Sequence, residues 1–417
     1  MYDKASIALI PSGYKSSELY SVLPANGDGD FEHIRTSTAT RVNKDGLIES
    51  VAIDTPRLDY PLNNGVVGDC PHLLLEPQRE NILLYSEDIS NSAWTTFASG
   101  ETIVSNSVVS PNGTQTADTL EGDGSATSVY VRQNITLNTS VDYTFSVFAK
   151  KGTNNFIALS AEGFTGVTNT LVFFDLDNGT VTSGTADIED YGNGWFRCSY
   201  KVTIGTDGTG RFLVFAAYNG TTRAFPSTSE ASGQNIYLWG AQAEQGSYKT
   251  SYIHTPTNAT ETRSADICND AGTSAEFNDS EGVLFAEIAS FVSGGTSRRI
   301  AISDGDFTDR IEILYGAATN SIDYQVISNN VFQAGGFHTV TDVTDFNKVA
   351  VKYKQDDFAL WINGVEVSTD DSGNTPTGLN TLRFEDGGGG NDFYGKCKQL
   401  IVFNEALSDS ELQTLTS

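Results

Sequence analysis

Three aspartates in one short loop are the clearest candidates for chemistry in this chain. The stretch SDGDFTD places Asp304, Asp306 and Asp309 close together, with a glycine between the first two. Closely spaced carboxylates in a glycine-containing loop offer the oxygen ligands that Ca²⁺ takes in proteins. The spacing therefore predicts a metal site at Asp304, Asp306 and Asp309 with Ca²⁺ as the cofactor, and the alternative is a solvated acidic turn. A second acidic loop, FEDGGGGNDF, carries Glu385, Asp386, Asn391 and Asp392.

Exposed aromatic rings are the second kind of candidate, because sugars stack on aromatic faces. Tyr218 lies in the loop-like stretch AYNGTTR, and Trp94 lies in SNSAWTT. We predict these two as ligand-binding residues, with packing in the core as the alternative for Trp94. The other tryptophans, Trp195, Trp239 and Trp361, lie inside apolar segments, which favours a place in the core.

No arrangement of residues indicates catalysis. The chain has 53 Asp and Glu residues, and no motif singles out the facing pair of carboxylates that glycan hydrolysis requires. The four histidines, at positions 33, 72, 254 and 338, lie in different segments, and there is no GxSxG motif. We therefore predict no catalytic residues and a protein that is not an enzyme.

The cysteines indicate neither a zinc site nor a disulfide framework. The four of them, at positions 70, 198, 268 and 397, form no CxxC motif and no Cys/His cluster. Buried free thiols fit assembly in a reducing cytoplasm. Cys268 and Cys397 fall near the two ends of the last predicted domain, and a disulfide between them is left open.

The formal net charge of −28 limits the partners of the chain. An acidic surface repels phosphate backbones and anionic membranes, so we expect neither nucleic-acid binding nor membrane insertion. The charge is compatible with divalent cations, with neutral sugars and with a role in solubility alone. No apolar stretch approaches 18 residues, and the first residues show no signal-peptide pattern.

Apolar side chains recur at every second residue in many short segments, as in SVYVRQNITL, YTFSVFAKK and WFRCSYKVTI. Turn-forming stretches such as DNGT separate these segments. The pattern predicts an all-β fold of antiparallel sandwiches. We divide the chain into a head (residues 1–81), a body (82–262) and a last sandwich (263–417), and we interpret the polar passage 255–270 as a linker.

The stretch from Arg57 to Asp88 connects the head to the body. Prolines at positions 61, 71 and 77 interrupt it, so it is predicted to be an extended strap. The residues before it show hairpin patterns but too little apolar mass for a core of their own. We expect them to rest on a sister subunit or on the structure that they anchor. We also expect residues 82–417, and the last sandwich by itself, to fold without the head.

One part of the sequence resembles a known family. LLLEPQRENILLYSEDISNSAW, preceded by ATRVNKDGLIE and PRLDYP, resembles a module of tailed-phage virion proteins such as head fibres and tail fibres. The resemblance covers roughly residues 5–95. It implies a virion protein, assembled in the host cytoplasm and attached to other virion proteins through residues 1–80. Appendage proteins of this kind are commonly homotrimers, so a homotrimer is expected here.

Two further resemblances concern the body and the last sandwich. YTFSVFAKKG, FFDLDNGTV, YGNGWFRCSYKVT and IYLWGAQAEQGSYKTSYIHT together resemble a jelly roll like those of carbohydrate-binding modules. KVAVKYKQDDFALWINGVEV, followed by LIVFNEALSDSELQTL, resembles the concanavalin-A-like, laminin-G-like sandwich. Ser408 and Glu411 have the spacing of a capping box, which predicts a short helix at the end of the chain.

These patterns predict an N-terminal anchor, a central jelly roll and a C-terminal concanavalin-A-like sandwich. The resemblances imply a fibre or appendage protein of the phage virion whose sandwiches contact host-surface glycans. The alternatives are a purely structural head-fibre or capsid decoration protein without a ligand, a glycan depolymerase, and a secreted bacterial adhesin.

Overall fold

The computed structural model of the chain describes residues 2–96, 100–167, 170–206 and 208–417. The strands of its sheets pair antiparallel, and two sets of sheets form sandwiches. The predicted all-β fold is therefore confirmed. Within the described ranges, no helix is both long enough and apolar enough to cross a membrane.

The head consists of short strands, as expected for a segment interrupted by turns and prolines. A 3₁₀ turn at Tyr2–Lys4 precedes them. The strands are β1 (Ala5–Leu9), β2 (Tyr14–Lys15), β3 (Glu18–Leu19), β4 (Phe31–Ile34), β5 (Ala39–Val42), β6 (Ile48–Val51), β7 (Leu58–Asp59), β8 (Leu62–Asn63), β9 (Val66–Val67), β10 (His72–Leu75) and β11 (Arg79–Asn81).

The body is a two-sheet sandwich. Its strands are β12 (Glu101–Val108), β13 (Ala117–Gly122), β14 (Val129–Thr136), β15 (Asp142–Lys151), β16 (Phe156–Glu162), β17 (Leu171–Asp175), β18 (Thr180–Ser183), β19 (Asp187–Asp190), β20 (Trp195–Thr203), β21 (Thr209–Ala216) and β22 (Asn235–Gln245), with helix α1 (Thr228–Ala231) before the last of them. One sheet has the order β12-β13-β22-β15-β20-β19, and the other has the order β14-β21-β16-β17-β18. Phe145 and Phe212 stack between the sheets, with ring centroids 5.0 Å apart.

The last sandwich follows the exit from the body. Its strands are β23 (Glu261–Arg263), β24 (Ile267–Asn269), β25 (Glu281–Ser290), β26 (Arg298–Ser303), β27 (Arg310–Tyr315), β28 (Ser321–Ser328), β29 (Val331–Thr339), β30 (Asn347–Lys354), β31 (Phe358–Ile362), β32 (Val365–Asp370), β33 (Thr381–Arg383) and β34 (Gly395–Phe403), followed by helix α2 (Asp409–Thr416). The Glu411 carboxylate accepts a hydrogen bond from Ser408 N (2.9 Å), so the predicted capped helix is confirmed.

The head completes a sheet of the last sandwich. β1 and β10 both pair with β34, with Leu9 opposite Leu400 and Leu73 opposite Cys397. That sheet runs β32-β31-β30-β25-β34-β10-β7, with β1 also on β34, and it packs on the sheet β29-β28-β27-β26-β33. The surface on which the head was expected to rest is therefore supplied by the same chain, and the thin core of the head no longer calls for a sister subunit.

The two regions also share one hydrophobic core. Buried side chains of the head lie in a single cluster with strands of both sheets of the last sandwich. Those from the head are Ile7, Leu9, Leu19, Phe31, Leu58, Leu73 and Leu75. The expectation that the last sandwich folds alone does not fit this packing, because the fragment would expose its side of that core.

The body lies between two neighbouring strands of this joint unit. β11 leads into the body and β23 leads out of it, and the two strands pair, with Asn81 opposite Glu261. The chain thus leaves and returns at adjacent points, which is the geometry of an inserted domain. The predicted boundaries after residues 81 and 262 stay predictions, but the passage 255–270 contains two strands rather than a free linker.

A pair of fragments tests this organisation. We expect residues 263–417 alone to lack a cooperative thermal transition and to bind a hydrophobic dye. A chain joining residues 1–81 to 261–417 through a two-residue turn should melt cooperatively. The seven head side chains contribute about 1.5–3 kcal/mol each, together comparable to the roughly 5–15 kcal/mol that stabilises a whole domain. Equal melting curves for both fragments would contradict the shared core.

Candidate functional site

Four buried charged side chains hold the head, the body exit and the last sandwich together. We call Arg57, Glu76, Arg263 and Asp266 the charge lock; each is at most 2 % exposed. Glu76 Oε2 forms ion pairs with Arg57 Nη1 at 2.6 Å and with Arg263 Nη1 at 2.8 Å. The Asp266 carboxylate forms ion pairs with Arg57 and with Arg35, the latter at 3.0 Å. Both acids are thus paired with more than one arginine.

The charges of the lock set its protonation state. Burial alone would raise the pKa of Glu76, but the positive charges of Arg263 and Arg57 outweigh burial and lower the pKa to about 2. The pKa of Asp266 is likewise lowered despite its burial, by Arg57 first and then by His33, whose Nε2 lies 3.4 Å from the carboxylate, and by the charge of Arg35. Both carboxylates are therefore ionised at neutral pH.

The lock also fixes the segment that leaves the body. Ser251 N donates to Glu76 Oε1 at 2.7 Å, and Ser251 Oγ donates to Glu76 Oε2 at 2.6 Å. On the outer face of the six-stranded body sheet, Glu244 accepts from Thr250 N at 2.8 Å and Gln242 accepts from Ile253 N at 2.7 Å. These hydrogen bonds hold residues 250–253 across the outer face of the sheet, and we call this segment the cover.

A solvent-open cleft of ≈ 740 Å³ lies beside this cover, where the head, the body and the last sandwich meet. Phe148 and Arg197, on β15 and β20, line it from the body sheet. The hairpin β5–β6 lines it from the head, and Phe291 and Lys396 line it from the last sandwich. The cleft therefore exists only when all three parts are in place.

Two aromatic rings in the cleft form a stacked pair. The rings of Tyr248 and Phe291 have centroids 5.4 Å apart and planes inclined by 19°. The Arg79 guanidinium lies over the Tyr248 ring, 5.3 Å from its centroid, and its Nε is 3.7 Å from Glu244. The stacked pair is thereby held against a polar group through Tyr248, and such a mixed lining is what small ligands require.

Several charged side chains in the cleft already have opposite charges nearby. Lys249 pairs with Asp187 and with Glu189, the latter at 3.1 Å. Arg41 pairs with Glu49 at 2.7 Å. These cations are neutralised by the protein itself and are not free for a ligand.

Arg197 is held differently. It is 2 % exposed, Nη1 donates to the carbonyl of Thr250 at 2.7 Å, and Nη2 donates to Ser146 Oγ at 3.2 Å. Its guanidinium lies 5.2 Å from the centroid of the Phe148 ring. Nε has no hydrogen-bond acceptor among the described residues.

The two predicted aromatic ligand-binding residues lie outside this cleft. Trp94 is 4 % exposed, packs in the body core, and donates from Nε1 to the carbonyls of Leu84 and Tyr85 at 3.1 Å. A buried ring has no face for a sugar, so the prediction for Trp94 is corrected to its packing alternative. Tyr218 is 39 % exposed beside Phe225, and ligand binding there stays a prediction.

The three predicted metal ligands are not gathered into one site. Asp309 turns inward and accepts from Thr377 N at 2.7 Å and from Asn329 N at 3.1 Å. Asp304 accepts from Asp306 N at 3.0 Å within its own turn. Across the described ranges, no three His, Cys, Asp or Glu side chains are arranged to hold a metal ion. The geometry favours the acidic turn, because Asp309 is engaged in holding neighbouring backbone.

The second acidic loop folds around its own carboxylates. Glu385 accepts from the backbone N–H of Gly389 and Gly390, and Asp386 accepts from Gly388 N at 3.2 Å. The glycines therefore serve to bring backbone donors close to buried acids.

Cys268 and Cys397 are free thiols. Both lie in the core shared by the head and the last sandwich. Burial raises the pKa of each thiol, which keeps it protonated and unreactive at neutral pH. The structure has no disulfide between them.

Other functional residues are not evident from local sequence patterns. Arg263 and Asp266 lie in a passage whose polar composition indicates exposure, although both are buried. Two of the buried charged residues could have been found from the sequence. Arg197 lies inside the apolar segment WFRCSYKVTI, and Glu76 follows three leucines. A charge within an apolar strand is seldom buried without a partner, so each predicts a specific contact.

Comparison with known proteins adds only distant likenesses. No family model and no curated protein matches the chain. Among solved structures, the CBM40 of a Ruminococcus gnavus IT-sialidase bound to α2,3-sialyllactose is similar at 17 % identity, over 34 % of this chain and 84 % of that one, with a TM-score of 0.30. Mouse laminin α1 domains LG4-5 are similar at 11 % identity, over 70 % and 93 %, with a TM-score of 0.24.

A Trypanosoma rangeli sialidase in complex with sialic acid is similar at 11 % identity, over 99 % of this chain and 83 % of that one, with a TM-score of 0.29. Likenesses this weak decide nothing about ligand or activity. The β-sandwich architecture follows from the sheets themselves.

The charge lock gives a sharp stability prediction. Changing Asp266 to Asn should lower the free energy of unfolding by about 3–5 kcal/mol, because buried arginines lose their counter-charge. Changing Asp177 to Asn removes an exposed ion pair with Lys151 and should cost less than about 1 kcal/mol. Urea unfolding at pH 7 measures both. Equal losses in the two variants would show that the lock contributes no more than a surface pair.

Acid should remove the contribution of the charge lock to the free energy of unfolding. The lowered pKa values of Glu76 and Asp266 mean that their stabilisation is complete above the unfolded carboxylate pKa of roughly 4 and is lost as pH falls below it. The stability gap between the wild type and Asp266→Asn should therefore narrow from about pH 4 downward. A gap that stays constant to low pH would contradict the ionised state of Asp266.

The aspartate loop is tested by a matched pair of variants. Asp309→Ala should lose roughly 1–3 kcal/mol of stability, because buried backbone donors lose their acceptor. Asp306→Ala should stay within about 0.5 kcal/mol of the wild type. Calcium and a chelator should give the wild type the same melting temperature. A calcium-dependent rise that disappears in Asp306→Ala would instead establish the metal site.

Proposed function

We propose that the protein is an appendage protein of a tailed-phage virion that binds host-surface glycans in the cleft between its three parts. The observation that carries this proposal is the lining of the cleft. A stacked pair of rings, Tyr248 and Phe291, lies beside hydroxyl, carboxylate and cationic groups in ≈ 740 Å³. Clefts of roughly 300–1,000 Å³ with such mixed walls bind small ligands, and sugars require both ring surface and polar groups.

The virion part of the proposal is supported by the resemblance of residues 5–95 to phage appendage proteins. The surface of the head supports it too. Of the fifteen large apolar side chains exposed in the described ranges, six lie in the head: Ile10, Tyr20, Val22, Ile34, Ile53 and Val66. Contacts with other virion proteins, or between the three copies of a homotrimer, would cover them.

We propose binding without cleavage. A glycan hydrolase needs an acid with a raised pKa and a second free carboxylate near it. In the cleft, Glu76 has a lowered pKa and is held by arginines, while Asp187 and Glu189 both pair with Lys249. The Asp59 carboxylate accepts from Val42 N at 2.7 Å. These engagements support a binding role over a depolymerase.

A binding assay with two matched variants tests the cleft. We expect the protein to be retained on at least one member of a panel of immobilised bacterial surface polysaccharides and to release no reducing sugar. Phe291→Ala should weaken retention about tenfold or more, because a buried aromatic contact with the ligand is lost. Phe337→Ala, which changes an exposed ring outside the cleft, should leave retention unchanged.

Three outcomes would contradict parts of this proposal. Loss of binding in Tyr218→Ala alone would move the site to the Tyr218 loop. No binding to any polysaccharide would favour a purely structural decoration protein. Intact phage particles that remain unlabelled by gold-conjugated antibodies against the protein would rule out a place on the virion surface.

A further inference from the structure

The positive charges of the cleft are unusual for this chain. Acidic residues outnumber basic ones by 53 to 25, so a cation readily finds an acidic partner. Yet Arg197 and Lys396, which both line the cleft, form no ion pair with any described carboxylate. Their neighbours Lys201, Lys249 and Lys398 all do. The cleft therefore holds two cations outside any ion pair, although Glu189 lies opposite Arg197 in the ladder between β19 and β20.

The burial of Arg197 makes its lack of an ion pair significant. A guanidinium that is 2 % exposed has lost most of its hydration, and its partners are a carbonyl, a hydroxyl and an aromatic ring. Removing a charge from water is unfavourable unless an opposite charge compensates it. Nε still has a proton without an acceptor among the described residues. An anion bound in the cleft would supply a counter-charge.

Lys396 places a second cation on another wall. It lies on β34 of the last sandwich, whereas Arg197 lies on β20 of the body. A ligand that meets both cations would therefore contact the body and the last sandwich at once.

We infer that the glycan bound in the cleft is acidic and that its carboxylate is bound between Arg197 and Lys396, an inference that rests on the proposed function. Carboxylate oxygens accept charge-assisted hydrogen bonds from guanidinium and ammonium groups. A carboxylate has two oxygens, so it can accept from both cations at once. The acids that also line the cleft, among them Asp59 and Glu189, would repel a doubly charged phosphate monoester more strongly than a singly charged carboxylate. The neutral sugars that the overall charge favours are thus not the best fit for this site.

A chemical change in the ligand tests this directly. Polysaccharides retained by the intact protein are assayed again after their carboxylates have been reduced to alcohols, which leaves the polymer otherwise the same. Binding should fall at least about tenfold, the loss expected when a charge-assisted contact disappears. Equal binding of native and reduced polymer overturns the inference while the proposed function stands. Retention of no polymer in either form overturns both.

Variants of the protein complete the test. Lys396→Gln should weaken binding of the native polymer and have no effect on the reduced one. Arg197→Lys, which keeps the charge but not the planar guanidinium, should do the same, with thermal melting used to confirm that it is folded. Lys44→Gln, outside the cleft and without an ion pair to a described acid, is the matched control and should bind like the wild type. Retention only on a phosphate-bearing teichoic acid, or equal effects of Lys396→Gln and Lys44→Gln, would overturn the carboxylate site.

Discussion

The charge lock is the contact on which the arrangement of the three parts depends. Arg57 and Glu76 come from the head, and Arg263 and Asp266 come from the segment that follows the body, yet the four side chains meet out of contact with water. Burying these ions is costly, and their mutual attraction offsets the cost only while every partner is present. The lock therefore defines one relative position of these segments, since any slip would leave a buried charge uncompensated.

This constraint explains how an inserted sandwich can form one cleft together with the unit that carries it. The paired strands β11 and β23 set the points of entry and exit, but a two-strand connection alone would let the body swing. Glu76 prevents this because it accepts from Ser251 as well as from the arginines. The same carboxylate lines the cleft, so Glu76 belongs both to the charge lock and to the wall of the cleft.

Local patterns predict the strands well and their assembly poorly. Alternation identifies the apolar strands and places Trp195 and Trp239 in the core, because burial on one face of a strand is a local property. The passage 255–270 resembles a linker because its composition is polar, and only the partner 209 residues away makes Asp266 a buried residue. Likewise nothing near Cys397 indicates that its strand pairs with the head, so the two regions appear separate in sequence although they share one core.

Net charge is a poor guide to this site for the same reason. A total of −28 describes the average surface and favours cations or neutral ligands as partners. The cleft departs from the average because its walls come from different regions, and the body and the last sandwich each supply a cation, Arg197 and Lys396, that forms no ion pair with a described acid. Arg197 faces a cover of backbone carbonyl and hydroxyl groups rather than a carboxylate, and Lys396 enters from another sheet. A cationic recess in an acidic protein attracts an anion only at short range, because the surrounding charge repels it at a distance and salt screens that repulsion. Binding of the proposed acidic glycan through these two cations should therefore depend on a close fit to the sugar more than on long-range attraction.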